Sequence, residues 1–389
     1  MEYADQMTVQ SSSPRPKKTL IFHIGDHKTG STSIQLAFAQ RQIRLDGASV
    51  FYPAKLALNV LGDHCAAYAK AASSKAKQAA IRPFQRLAAR ISKSDGDFAL
   101  VSAEAFEGVP ASLFHEIVQS VFSDCADEIR IIAYVRPHAA RIVSSYVERV
   151  KSGAPKTSAQ TLEEFSNSKR LNGEFIYWPR FHAWRNAFGE NFLLRPMIRE
   201  KLINKSVLDD FIHHAFGGID YELAGDSPAN VALCLEDLMR LKILHENLRR
   251  LRGGISLRRT VGWEFARISG MLPPPNVQTK LRLHKLLAEE IRTTYMQDAK
   301  DMDRDFFDGR ALLEEELNRA VEQAIDTPQS TEPGDYFSES ELRSLAILSS
   351  MIASMMEADA VNWPSFLHSK RERDVEIARR AIEKRQSAE

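Results

Sequence analysis

Hydrophobic positions in the first half of the chain gather in short runs separated by turn residues. TLIFHIG at 19–25 is such a run, rich in branched residues, and predicts a buried strand. A glycine-rich turn follows. STSIQLAFAQRQIRL at 31–45 then carries Ile34, Leu36, Phe38, Ile43 and Leu45 along an imperfect helical stripe. Strand, glycine turn and helix together open an α/β domain. ASVFYPA at 48–54 is a candidate second strand, and the Ala- and Lys-rich stretch 55–93 predicts helix with breaks. DFALVSAE at 97–104 predicts a third strand ending in polar residues, and ASLFHEIVQSVF predicts the helix after it. EIRIIAYVR at 128–136 is a strong strand signal. It runs straight into PHAARIVSSYVERVKS, a helix with Pro137 near its first turn, where a missing N–H costs little. NFLLRPM predicts a further strand around 192–195.

Beyond about residue 200 the period changes to that of helices. The segments 205–216, 231–251 and 280–307 all read as amphipathic helix. DTPQSTEPGDYF at 326–337 breaks the pattern and is expected to end the main domain. After it come an apolar helix at 340–356 and a charged one at 370–385. The expected organisation is a disordered segment at 1–17, a domain at 18–325 and a helical C-terminal extension at 338–389. The apolar stripe of Leu342, Leu345, Ile347, Met351 and Met355 needs a cover. That cover is either this chain or a second copy joined through the C-terminal helices.

Composition narrows the classes without choosing one. A hydrophobic fraction of 44% supports a sizeable core, and a net charge of +1 gives no sign of a nucleic-acid binder. Cys65, Cys125 and Cys234 are few and widely spaced, so neither a disulfide framework nor a zinc spacing can be read from them. The polar N-terminus has no signal-peptide pattern and no apolar run reaches membrane-spanning length. The expected location is cytoplasmic.

The chemistry begins at HIGDHKTGSTS, residues 23–33. Gly25 and Gly30 bracket four residues, and Ser31, Thr32 and Ser33 follow. Glycines at these positions let successive N–H groups face an anion, with a helix N-terminus adding a favourable field. A nucleotide-triphosphate loop carries lysine directly after the second glycine. Here that position is Ser31, and the lysine is Lys28, inside the loop. The competing reading is a tight turn with Ser31 as helix cap. A second candidate is Arg136, at the C-terminal end of a strand, with Ser144 eight positions on. A guanidinium and a hydroxyl can hold one phosphate from two sides. Taken singly, they read as a salt-bridged arginine and a helix-surface serine. Two separated anion clamps imply a ligand with phosphate at both ends.

These residues carry a resemblance. HIGDHKTGSTSIQ is similar to the 5'-phosphosulfate loop of the sulfotransferase superfamily that uses 3'-phosphoadenylyl sulfate (PAPS), in the form typical of bacterial carbohydrate-type members. VRPHAARIVSSY resembles the family's 3'-phosphate motif, LVSAEAF a third stretch between the two, and YMQDAKDMDRDFF a C-terminal pattern. The resemblance covers roughly residues 19–315. Ser31 stands where threonine is commoner, and Pro137 follows Arg136 directly. The resemblance implies a P-loop-like three-layer α/β domain with a central parallel sheet. It places Lys28, Thr29, Gly30, Ser31, Thr32 and Ser33 around the 5'-phosphosulfate, and Arg136 and Ser144 at the 3'-phosphate. The implied activity moves a sulfuryl group to a hydroxyl of a carbohydrate or glycolipid and releases 3',5'-adenosine bisphosphate. The implied catalytic groups are Lys28, meeting charge on the leaving oxygen, and a base. Glu104 and His64 are both candidates for that base, or one is the base and the other binds the acceptor; Glu104 also reads as a helix-capping or salt-bridging acid. No metal-ligand motif appears. His23 is expected in the core; His27 reads either as touching phosphate or acceptor or as a loop-surface residue; Ser102 either orients Glu104 or contacts the cofactor. The aromatics of 175–188 read either as an acceptor groove or as a packed helix, since Tyr177, Phe181, Trp184 and Phe188 recur at helical spacing. Two other functions remain at this point: a non-catalytic relative that binds the nucleotide, and a P-loop kinase.

Overall fold

Parallel strands buried on both faces read as unbroken apolar runs, because each side of the pleat meets helices. Such runs form the centre of this chain. The computed structural model describes residues 18–224, 233–273, 278–357 and 361–387. The segment 1–17 lies outside the described residues. Strands β1 (Thr19–His23), β3 (Val50–Phe51), β4 (Phe98–Ser102), β5 (Glu128–Val135) and β6 (Phe192–Pro196) form one parallel sheet in the order β3-β4-β1-β5-β6. Strand β1 is central, in register with β4 (Ile21 opposite Leu100) and with β5 (Ile21 opposite Arg130). A separate antiparallel pair joins β2 (Ile43–Leu45) to β7 (Tyr221–Leu223).

Helices cover both faces. In chain order they are α1 (Ser31–Ala39), α2 (Val60–Lys70), α3 (Ser74–Ser92), α4 (Ala111–Phe122), α5 (His138–Lys151), α6 (Pro155–Ser158), α7 (Leu162–Leu171) and α8 (Trp178–Phe188). They continue with α9 (Val207–Ala215), α10 (Leu235–Leu248), α11 (Gly254–Ser269), α12 (Lys285–Phe306), α13 (Leu312–Glu322), α14 (Glu339–Met356) and α15 (Trp363–Gln386). Alternate residues of each strand face opposite layers. Leu20, Phe22, Val101 and Ala133 join the core under α3, α4, α5 and α8, whereas Ile21, Leu100 and Ile132 pack against α1 and α9. Each fully buried Leu, Ile or Phe contributes roughly 1.5–3 kcal/mol, so the sheet's central strands are the most firmly held part of the chain. The result is a three-layer α/β arrangement.

Several sequence expectations change. Ile43 and Leu45 do not continue the first helix. It ends at Ala39, Arg41 takes a left-handed φ of 56°, and the chain enters β2. On α14, Leu342, Leu345, Ser349 and Ala353 make the inward face against α10, while Ile347, Met351 and Met355 point outward and are half or more exposed. The inward set keeps the spacing of three and four residues on one helix face; the outward set is a neighbouring stripe. Residues 326–337 pack along the chain's own core, with Thr331 and Phe337 buried. No described helix is long and apolar enough to cross a membrane.

Candidate functional site

Because β1 lies between β4 and β5, the segments leaving the C-terminal ends of these three strands converge. In open α/β sheets this is where ligands bind. From β1 comes the loop 24–30, from β4 a short 3₁₀ turn (Glu104–Gly108), and from β5 Arg136 and α5. The loop starts as a continuation of the sheet: the Asp26 N–H donates to the Tyr134 carbonyl at 3.1 Å, and the Tyr134 N–H donates to the Gly25 carbonyl at 2.9 Å. Gly25 (φ 93°) lies against the Glu104 backbone, where an added Cβ would sit 3.2 Å from Glu104 Cα.

From there the backbone turns. Lys28 has φ 67° and Gly30 φ 86°, and Gly30 is the N-cap of α1 without any side-chain cap. Among the described residues, the N–H groups of 28–32 donate to no protein acceptor. Five consecutive donors at a helix N-terminus make an anion-binding concavity. The hydroxyls of Thr29 and Ser31 are buried and donate to the Asp26 carbonyl at 2.6 and 3.3 Å, so they brace the turn from inside. Thr32 and Ser33 are half-buried on the first turn of α1.

Lys28 spans the second candidate region. Its carbonyl accepts from Arg136 Nη1 at 2.7 Å, while its ammonium reaches Glu148 Oε2 at 2.9 Å, near the far end of α5. Ser144 lies one turn before Glu148, between these two anchor points, its hydroxyl donating to the Arg141 carbonyl at 3.3 Å. Arg136, Ser144 and Lys28 thus share one strip of α5. Arg136 makes no ion pair among the described residues. Burial and the neighbouring Arg141 both press its pKa down, an unfavourable field for a cation that an arriving anion would relieve. Burial pushes the Glu148 carboxyl up, but Lys151 and Lys28 outweigh it and hold its pKa below the ordinary value.

A ring of buried charge supports the loop from behind. Asp26, 1% exposed, receives a two-pronged contact from Arg180 at 2.5 and 2.7 Å. Burial raises the Asp26 pKa, and Arg180 limits that rise. Glu107 accepts from the His27 ring and backbone (2.5 and 3.0 Å) and from Arg141 at 2.7 Å. Burial works against the Glu107 charge, yet His27, Arg141 and Arg180 hold its pKa well below the carboxylate range. Burial lowers the His27 pKa, but Glu107 and Glu104 outweigh it, so the net shift is upward. Arg141 is 5% exposed, and its Nε and Nη1 have no partner among the described residues. Arg136 is steadied through its own carbonyl, which accepts from the Tyr177 hydroxyl at 2.9 Å. Asp298 in turn accepts from the Tyr177 N–H and from buried His138.

Glu104 stands at the loop's edge, half-buried, with Asn59 Nδ2 at 3.5 Å from its Oε1. His64 is on α2, which packs on the 3₁₀ turn through Gly62 and Ala105; it has no hydrogen bond, ion pair or ring contact among the described residues. His23 is core, as expected: its Nδ1 and Ser102 Oγ are 2.8 Å apart, and burial lowers its pKa to about 3. Ser102 therefore pairs with His23 rather than with Glu104. Tyr177, Phe181 and Trp184 are buried, so that stripe is helix core rather than an acceptor groove. Sequence reasoning missed Asp26, Glu107, Arg141 and Arg180. Asp26 stood inside the quoted loop, but its partner lies 154 positions away and no local pattern links them. No protein-family model and no curated protein matches the chain.

Proposed function

We propose that this protein is a sulfotransferase of P-loop-like fold, which moves the sulfuryl group of PAPS to a hydroxyl of a carbohydrate or glycolipid. The observation that carries this reading is the row of unpartnered N–H groups at 28–32, set between Lys28 and the ion-pair-free guanidinium of Arg136. Such a row fits a phosphate-sized anion without further donors. A cation without a carboxylate partner beside it fits a second phosphate.

PAPS supplies an activated sulfuryl group on a phosphate leaving oxygen. The N–H groups of 28–32 hold its 5'-phosphosulfate, and Arg136 and Ser144 its 3'-phosphate. The Lys28 ammonium exchanges Glu148 for the leaving oxygen, where a fixed positive charge stabilises the charge that develops. Glu104 borders the loop and is suited to take the acceptor hydroxyl's proton; His64 remains the other candidate base.

Calorimetric titration with 3',5'-adenosine bisphosphate, against ATP and 5'-AMP, tests the reading without an acceptor. Binding that requires the 3'-phosphate, and that Arg136→Ala weakens about tenfold or more, is the expected result. Equal or tighter binding of ATP would replace it with a kinase-type assignment. No binding by folded protein would leave a non-catalytic role.

A further inference from the structure

The first half of the C-terminal helix α15 borders this site, and its second half runs along α1. The helix is moored at three places, the first two near the site and the last at the opposite end of the α1 layer. Lys370 pairs with Glu264 on α11, Glu372 with Lys55 in the segment leaving β3 (3.2 Å), and Glu383 with Arg41 at the end of α1 (2.8 Å). Some charged neighbours along this stretch are paired: Glu376 holds Arg379 and Arg380, and Asp374 lies 4.0 Å from Arg267. Among the described residues neither Arg371 nor Arg373 makes a hydrogen bond or ion pair, but Arg373 is exposed whereas Arg371 is half-buried and its guanidinium stacks on Trp263 at 5.1 Å.

Trp263 fixes where that guanidinium is. Its neighbour Gly262 abuts the end of α5 so closely that an added Cβ would fall 1.9 Å from the Lys151 carbonyl. Lys151 shares Glu148 with Lys28. Arg371 therefore stands beside the far end of the α5 strip. The carboxylates that act on its charge are Glu104 and Glu148, one at each side of the loop, and burial lowers its pKa against their pull. An uncommitted, partly buried guanidinium beside an anion cradle is suited to bind the anion.

We propose that the first half of α15 is a lid at the edge of the site and that Arg371, stacked on Trp263, is the cation it presents to a phosphate of the bound nucleotide. This rests on the functional reading above and adds a binding residue from a part of the chain that the sequence resemblance does not reach. The lid's attachment suits a part that moves. Only Val375 and Ile382 are buried along its 24 residues, and in the Lys55–Glu372 and Arg41–Glu383 pairs the cation is largely exposed. Exposed pairs hold weakly and exchange easily. Opening α15 would admit a ligand; closing it would bring Arg371 onto the phosphate and shed water from the loop.

Titration of the full chain with 3',5'-adenosine bisphosphate separates this proposal from the functional reading. Arg371→Met keeps most of the stem on Trp263 and is expected to weaken binding about tenfold or more. Arg371→Lys keeps the charge, loses the planar fork, and should fall between. Arg373→Met, an exposed charge two positions along the same helix, is the control and should bind as the parent does. Stopped-flow measurement adds the lid: Lys55→Glu should speed nucleotide release several-fold, and pairing it with Glu372→Lys should restore the parent rate. Parent-like binding by folded Arg371→Met, alongside loss in Arg136→Ala, would overturn the lid proposal and leave the function standing. Equal weakening in Arg371→Met and Arg373→Met would reduce Arg371 to general charge and overturn it also. Failure of the parent chain to bind would remove both.

Discussion

The loop end of the sheet and the C-terminal helix α15 both carry dense charge, yet they are held in opposite ways. Behind the loop, Asp26, Glu107, Arg141 and Arg180 are mostly out of water and joined by short contacts. Along α15 the cations of the Lys55–Glu372 and Arg41–Glu383 pairs are mostly in solvent, and helix-local contacts such as Glu376 with Arg379 and Arg380 are as numerous as those to the body. A buried charge pair is costly to break because the surviving partner is left without water. An exposed pair returns its partner to solvent at little cost. The same residue types thus make a fixed frame in one place and a releasable latch in the other.

That contrast breaks most sharply at Arg180. Arg180→Met strands the Asp26 carboxylate and is expected to destabilise the fold by about 3–5 kcal/mol, read as a fall in thermal or urea midpoint. A loss under about 1 kcal/mol would mean the frame is not electrostatic in origin. Next comes Gly30→Ala. It places a Cβ 2.7 Å from Val207 Cγ1 at a φ of 86°, and strain plus overpacking should cost about 2–4 kcal/mol together with nucleotide binding.

The two histidines bracketing the loop's start sharpen the comparison through pH. His23 has a folded pKa of about 3, below its unfolded value. The unfolded chain therefore takes up the proton first, and stability falls as pH drops from about 6.5 toward 3. By pH 5 its share of the loss is about 2 kcal/mol. His27 is shifted the other way, so its contribution is present below the unfolded pKa and is lost as pH rises through the folded one. Solvent exposure of its ring keeps that contribution to a fraction of a kcal/mol. Urea unfolding of the parent and of His27→Gln between pH 5 and 9 should differ only on the acid side, where the parent is the more stable. The smallest effect belongs to the latch: Glu383→Gln should move the midpoint by no more than about 0.5 kcal/mol. A shift as large as that of Arg180→Met would make α15 part of the frame.

The strands were legible because β1, β4 and β5 are buried on both sides and so spell apolar runs. The glycine turn was legible because Gly25 and Gly30 keep their positive φ at fixed places in a strand–turn–helix unit. The limits are equally physical. Ile43 and Leu45 fit a helical stripe by position, but a left-handed Arg41 ends the helix before them. Arg180 and Arg141 sit on helices whose periodicity reports only the apolar face, so their polar partners could not be read. The route of α15 along the domain depends on Lys55, Arg41 and Glu264, three residues from separate parts of the chain with no shared pattern. Lys28 was found in the sequence, but its contact with Glu148 was not.

That last contact turns α5 into a gauge. One residue, Lys28, touches Arg136 just before the helix and Glu148 three turns into it. A rigid rod fixed at both ends to a single amino acid tolerates no change of phase. Inserting one residue between Ala139 and Ser144 would rotate everything beyond by about 100°, turning Ser144 and Glu148 away from the loop while leaving Arg136 in place. Inserting a full turn would restore the direction but push Glu148 about 5.4 Å too far along the axis. The interval between the arginine and the glutamate is therefore fixed in both length and angle, and with it the span of any two-ended anion the site can accept.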